Sequence, residues 1–169
     1  MDSVAYIQKQ YASLKRQFDG VILDTTEEQV NWIPQGTGNS IGVTMVHMIN
    51  GLDSAFQTVL RGKPQLWESE KMGEKLGLSG PPGRVHGWDE IKSKPLPLEP
   101  ILEYSVAVFK QVEEVVSGLK AEDLDRLVTF YGSERPAADA FIMNFSHVLV
   151  HTGEIAAIKG AIGVKGLPF

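Results

Sequence analysis

Apolar side chains at Val4, Ile7, Tyr11, Leu14, Phe18, Val21 and Ile22 recur every three or four residues, which draws one stripe along a helix. This period predicts a first helix from about Ser3 to Leu23. A second is expected from about Ile41 to Leu60, opened by Asn39-Ser40, either of which can accept the free amide hydrogens of a first turn, and stopped by Gly62 and Pro64. Ile101, Tyr104, Val108, Val112, Val115 and Leu119 share one face of a third helix, which begins near Leu98 to Pro100 and ends near Gly118. Pro136 fits the first turn of a fourth, running to about Ile162 before Gly163 and Gly166. Four long helices with no convincing alternating strand predict an all-α fold, an antiparallel four-helix bundle, as one domain over residues 1–169.

The connections are uneven in length. Asn31-Trp32-Ile33-Pro34-Gln35-Gly36-Thr37-Gly38 carries the Pro and Gly that break regular structure. Between the second and third helices, residues 62–100 form a long loop rich in Gly and Pro, with Trp67 and Trp88 as its large apolar side chains. So long a stretch without periodicity often serves as a binding loop or lid, and any short helical turns within it have no readable register. Leu119 to Leu124 reads as a short turn, and Thr129 to Glu134, holding Gly132, as a polar link.

The 169 residues are 43% hydrophobic and 22% charged, an ordinary globular composition. A chain of this length buries about 70% of its unfolded surface, so its core needs neither disulfides nor a structural metal. The net charge of −5, with no basic cluster beyond pairs such as Lys15-Arg16, argues against nucleic acid. No basic stretch followed by a long apolar run marks the N-terminus, and no segment approaches the roughly 20 apolar residues of a membrane span. The expectation is a cytoplasmic protein with a small-molecule substrate and no membrane or nucleic-acid partner. There are no cysteines, which removes thiolate ligands and a protein-borne thiol nucleophile. A metal would have to be held by imidazole, carboxylate, carbonyl or water, and imidazole suits zinc, nickel or iron.

Three of the four histidines fall in expected helices: His47 in the second, His147 and His151 in the fourth. Residues four apart on a helix stand about 6 Å apart along the axis and roughly 40° apart around it, so both imidazoles of the fourth helix can face one ion. Asn144, His147, His151 and Glu154 form a polar stripe among Met143, Val150, Ile155 and Ile158. His47 and Asn50, with Asp53 or Ser54, form a comparable stripe among Val43, Met48, Leu52 and Phe56. Facing one another, such stripes make a metal site inside one end of a bundle. A single helical histidine is more often a hydrogen-bonded core or surface residue, so the paired spacing carries more weight than His47 alone. Glu154 is the candidate catalytic residue, with three roles open: fourth ligand, orienting partner of an imidazole, or general base. Trp67, Trp88 and His86 are candidate substrate contacts in the long loop, although loop aromatics usually anchor a loop to the core.

Several separated segments resemble one family. Thr26-Glu27-Glu28-Gln29-Val30-Asn31-Trp32-Ile33-Pro34, then Asn39-Ser40-Ile41-Gly42-Val43 through His47, then Phe145-Ser146-His147-Val148-Leu149-Val150-His151-Thr152-Gly153-Glu154-Ile155 with Gly163 and Pro168, look like the DinB-like metal-dependent thiol S-transferases, which include mycothiol- and bacillithiol-dependent enzymes. The resemblance implies a four-helix bundle in which His47, His147 and His151 bind a divalent transition metal. It also implies transfer of a low-molecular-weight thiol, as cosubstrate, to an electrophile. Family members are often homodimers, and a second apolar side of the fourth helix, Ile142, Phe145, Leu149 and Ala156, is the candidate interface. A metal-dependent hydrolase and a non-enzymatic metal-binding stress-response protein are the other two readings.

Overall fold

The computed structural model describes residues 1–83 and 87–167. It is mostly helical, with one small two-stranded sheet. The long elements are α1 (Ser3–Ile22), α3 (Ile41–Asp53, continued as a π-helix over Ser54–Val59), α7 (Leu98–Ser117) and α9 (Ala137–Ala161). Each of α1 and α3 packs against both α7 and α9. The apolar stripe of α1 is the reason it lies where it does: Tyr11, Leu14, Phe18 and Val21 are all buried. Ser40 caps α3 by accepting from the Val43 amide. Lys159 of α9, only 2% exposed, donates to the Val21 and Leu23 carbonyls and to Thr25 Oγ1, closing the C-terminal end of α1. Burial pulls its amine below the usual lysine range.

Three connections differ from the sequence expectation. First, Glu27–Asn31 forms α2, capped by Thr26, whose hydroxyl accepts from the Gln29 amide while the Gln29 side chain accepts from the Thr26 amide. Second, residues 62–100 are not one irregular loop. They hold α4 (Leu66–Ser69), α5 (Met72–Leu76) and α6 (Trp88–Lys92), and bury Trp67, Met72, Leu76, Leu78, Ile91 and Leu96. The Asp53 carboxylate, 1% exposed, accepts from the Leu66 and Trp67 amides at 3.0 and 2.9 Å and from the Tyr104 hydroxyl at 2.7 Å, pinning the start of this segment to α3 and α7. Asn31 fastens the far end by bonding both the amide and the carbonyl of Leu96.

Third, the expected polar link is a β-hairpin. After the short α8 (Ala121–Asp125), β1 (Leu127–Phe130) pairs antiparallel with β2 (Ser133–Pro136), from Leu127 opposite Pro136 to Phe130 opposite Ser133. The two-residue turn, Tyr131-Gly132, has φ of 50° and 77°. Left-handed geometry at both central residues matches the right-handed twist of hairpin strands. Val128 and Phe130 face inward, whereas every residue of β2 is exposed.

Candidate metal centre

Packing of α3 against α9 brings His47 to His147, one hundred residues away, with their Nε2 atoms 3.2 Å apart. One ring nitrogen from each of His47, His147 and His151 lies within 4.8 Å of the other two, and all three side chains are half-buried. Two imidazole nitrogens on a tetrahedral ion at 2.0–2.1 Å stand about 3.3 Å apart. The His47–His147 separation already meets this value, and the third nitrogen lies within 4.8 Å of the other two. The donor set therefore fits a borderline transition ion.

Electrostatics keep the rings ready to donate lone pairs. Burial, and then the neighbouring His151 and His47, pull His147 down to about 4. Burial also lowers His47, with His151 adding to the effect, while the Pro82 carbonyl and Glu154 oppose it. His151 is oriented from behind: its Nδ1 lies 2.7 Å from Glu154 Oε2, one turn along α9. A carboxylate accepting the distal N–H of an imidazole fixes which nitrogen carries the lone pair and raises its basicity.

Two glycines shape the surroundings. Gly51, one turn beyond His47 on α3, sits so close to α9 that a Cβ there would meet His147 Cε1 at 3.0 Å and Nδ1 at 3.3 Å. Gly87, with φ of 85°, could not carry a Cβ without meeting Pro82 Cα at 3.2 Å, and it turns the chain into α6. Trp88 then lies against His47, ring centroids 4.8 Å apart, with Lys92 Nζ over the Trp88 ring, 5.5 Å from its centroid.

Of the expected substrate contacts, Trp88 therefore touches a candidate ligand. Trp67 is held elsewhere: it is 6% exposed, edge-on to Tyr104 at 5.9 Å, and its backbone is fixed by Asp53. His86 lies outside the described residues. Asp53, read as a possible member of the polar stripe, instead caps α4. Sequence reasoning missed Gly51 and the hairpin. Phe130 and Tyr131 of the hairpin, with Asn50, Asn144 and Met143, border a cavity of about 250 Å³ beside His47 and His147. Larger clefts of about 580 Å³, between residues 31–43 and 91–95, and about 430 Å³, between α1 and α7, contain none of the three histidines.

A sequence profile of the DinB superfamily matches residues 10–155, which include all three histidines and Glu154. Among curated proteins none matches the chain. Among solved structures, one described as a conserved protein from Enterococcus faecalis superposes with a TM-score of 0.78, covering 96% of this chain and 99% of that one at 18% identity. A likeness at that identity carries the fold alone.

Proposed function

Starting from a chain that belongs to the DinB superfamily, we propose that His47, His147 and His151 hold a divalent transition metal, zinc, nickel or iron, and that the protein transfers a low-molecular-weight thiol to an electrophilic small molecule. The observation that carries this reading is the convergence of three imidazole nitrogens within 4.8 Å, from two helices, with no fourth protein ligand in the group among the described residues. Three protein ligands leave a coordination position for a reactant, as in catalytic rather than structural sites. When bound, the ion supplies the Lewis acidity that favours the thiolate form of a thiol near neutral pH.

The residues of the chain do the rest by position. His147 and His47 stay neutral in the physiological range because burial disfavours their protonated forms. Glu154 holds the His151 ring through Nδ1, which supports a positioning role over that of general base in a hydrolase, since its Oε2 is engaged. The absence of cysteine agrees with a nucleophile that arrives with the cosubstrate. In the same reading, α1, α3, α7 and α9 are the antiparallel four-helix bundle of one domain, and the protein works in the cytoplasm as a homodimer. Of the candidate dimer face, Ile142 and Leu149 are 64% and 38% exposed, whereas Phe145 packs beside Tyr11 and Ala156 is buried. No described helix is long and apolar enough to cross a membrane.

The test is metal analysis of protein purified without chelator, beside His147→Ala and His151→Ala, followed by conjugation assays of the loaded protein with candidate thiols and electrophiles. About one equivalent of metal in the parent, lost in both variants, is expected together with thiol-dependent turnover. Substoichiometric metal unchanged in the variants would sink the metal reading. Stoichiometric metal with no turnover on any thiol or ester leaves the non-enzymatic reading in its place.

A further inference from the structure

The cavity beside the imidazoles has a wall that is selective in its own right. Val59, Pro82, Phe130 and Met143 make part of it apolar, the His47 and His147 imidazoles form one side, and Asn50, Asn144, Ser54 and Tyr131 add amides and hydroxyls. No Asp, Glu, Lys or Arg lines it among the described residues. Both amides are held by their nitrogens: Asn144 Nδ2 donates to the Ala140 carbonyl at 2.8 Å, and Asn50 Nδ2 to Gln65 Oε1 at 3.2 Å. Their Oδ1 atoms make no hydrogen bond among the described residues, so each remains an acceptor.

Size and polarity both restrict the occupant. The cavity, about 250 Å³ and open to solvent on one side, suits the ring-sized part of a ligand. In the metal-free protein an ion meeting the described lining loses hydration with no carboxylate, ammonium or guanidinium among those residues to offset it, whereas an uncharged ring gains from burial of apolar surface. The Gln65 and Ala140 anchors keep the amides in place, so the polar contacts are preformed.

We propose that this cavity is a binding subsite for an uncharged, largely apolar molecule of about single-ring size, with one polar group facing the Asn50 and Asn144 amides. That the occupant is the electrophile rests on the transferase reading. The selectivity of the wall does not. The hairpin is then part of the binding apparatus: Phe130 is placed at the cavity by its pairing with Ser133 and by the Tyr131-Gly132 turn.

The probes are benzyl alcohol, benzoate and benzylammonium, nearly equal in shape and different in charge, titrated into the metal-free full-length protein by ligand-observed NMR. Benzyl alcohol is expected to bind at least about tenfold more tightly than either ion. Val59→Trp, which fills the space from a residue that is not a candidate ligand, removes that binding; Met143→Trp, at a 40% exposed position, does the same should Val59→Trp fail to fold. Benzoate or benzylammonium binding as well as the alcohol overturns the proposal. So does binding of the alcohol that survives a folded filling variant, or no binding by any probe at millimolar concentration. If the cavity selects the neutral probe but the metal-loaded protein conjugates no uncharged electrophile, the transferase reading fails and the subsite stands.

Discussion

Gly51→Ala separates what holds the helix from what holds the site. Glycine inside a helix is less favourable than alanine by about 1 kcal/mol, so at an open position the substitution would stabilise the fold by about that amount. Here the added methyl meets the His147 ring at 3.0 and 3.3 Å, a few tenths of an ångström inside ordinary contact. The imidazole can swing away on its side-chain torsions, and the relief keeps the stability change within about 1 kcal/mol of the parent in either direction. Metal ligation tolerates far less, since useful ligand distances hold to within about 0.2 Å. Displacing a ligand by more than that should weaken the ion by about 10- to 100-fold, the range seen when the groups orienting a ligand are lost. The assay pairs thermal unfolding of the chelator-treated proteins with competition against a chromophoric chelator. A weaker metal complex on an equally stable fold is the expected result. Unchanged affinity with a gain in stability would refute the claim that this glycine exists to admit His147.

Glu154→Ala should weaken metal binding by about tenfold or more with the helix content intact by circular dichroism, and Glu154→Gln should recover part of the loss, because an amide oxygen still accepts the His151 N–H; a general base would not be replaced by glutamine. Asp53→Ala strands the Leu66 and Trp67 amides and the Tyr104 hydroxyl and should lower stability by about 3 kcal/mol in urea titrations; a loss under about 1 kcal/mol contradicts its role in pinning residues 62–100. Lys159→Met removes a cation bonded to two carbonyls and a hydroxyl and should reduce stability by about 2 kcal/mol, with the earliest hydrogen exchange at residues 19–23. The metal-free protein should also respond to acid through His147. Because its folded pKa is lowered from 6.5 to about 4, the unfolded chain binds the extra proton between those values, so stability falls as pH drops from 6.5 to 4 and levels off below. Allowing for its partial exposure, this amounts to about 2 kcal/mol, absent in His147→Ala.

How legible the molecule was depended on how many turns a pattern spans. The stripe from Val4 to Ile22 covers five turns and located α1 to within a residue; the fourth helix, expected from Pro136 to Ile162, is observed over Ala137–Ala161. The i, i+4 spacing of His147 and His151 placed two imidazoles together before any tertiary contact was known. His47 joined them only through packing of α3 on α9, which no local period encodes. Elements of four or five residues have no period to read. The signal for α2 was present in Thr26 and Gln29, three residues apart in a capping box, and passed as loop. The hairpin was hidden for a different reason: its strands are four residues long, one of them exposed throughout, and Tyr-Gly is not the usual Asn-Gly turn. Asp53 looked like a site residue because a carboxylate on the histidine-bearing helix is chemically plausible there, and only the amides of Leu66 and Trp67 reveal where it is employed.

The hundred residues between His47 and His147 would give a bound metal a second consequence. An ion shared by them is a removable cross-link that closes a loop over most of the chain, comparable in reach to a long-range disulfide but reversible by chelation. In an unfolded chain only His147 and His151 remain neighbours in sequence, so the ion discriminates between folded and unfolded states through its third ligand. Occupancy should therefore slow the detachment of α9 from α3 in particular, and the resistance of that pair to proteolysis becomes a gauge of how much metal the protein carries in the cell.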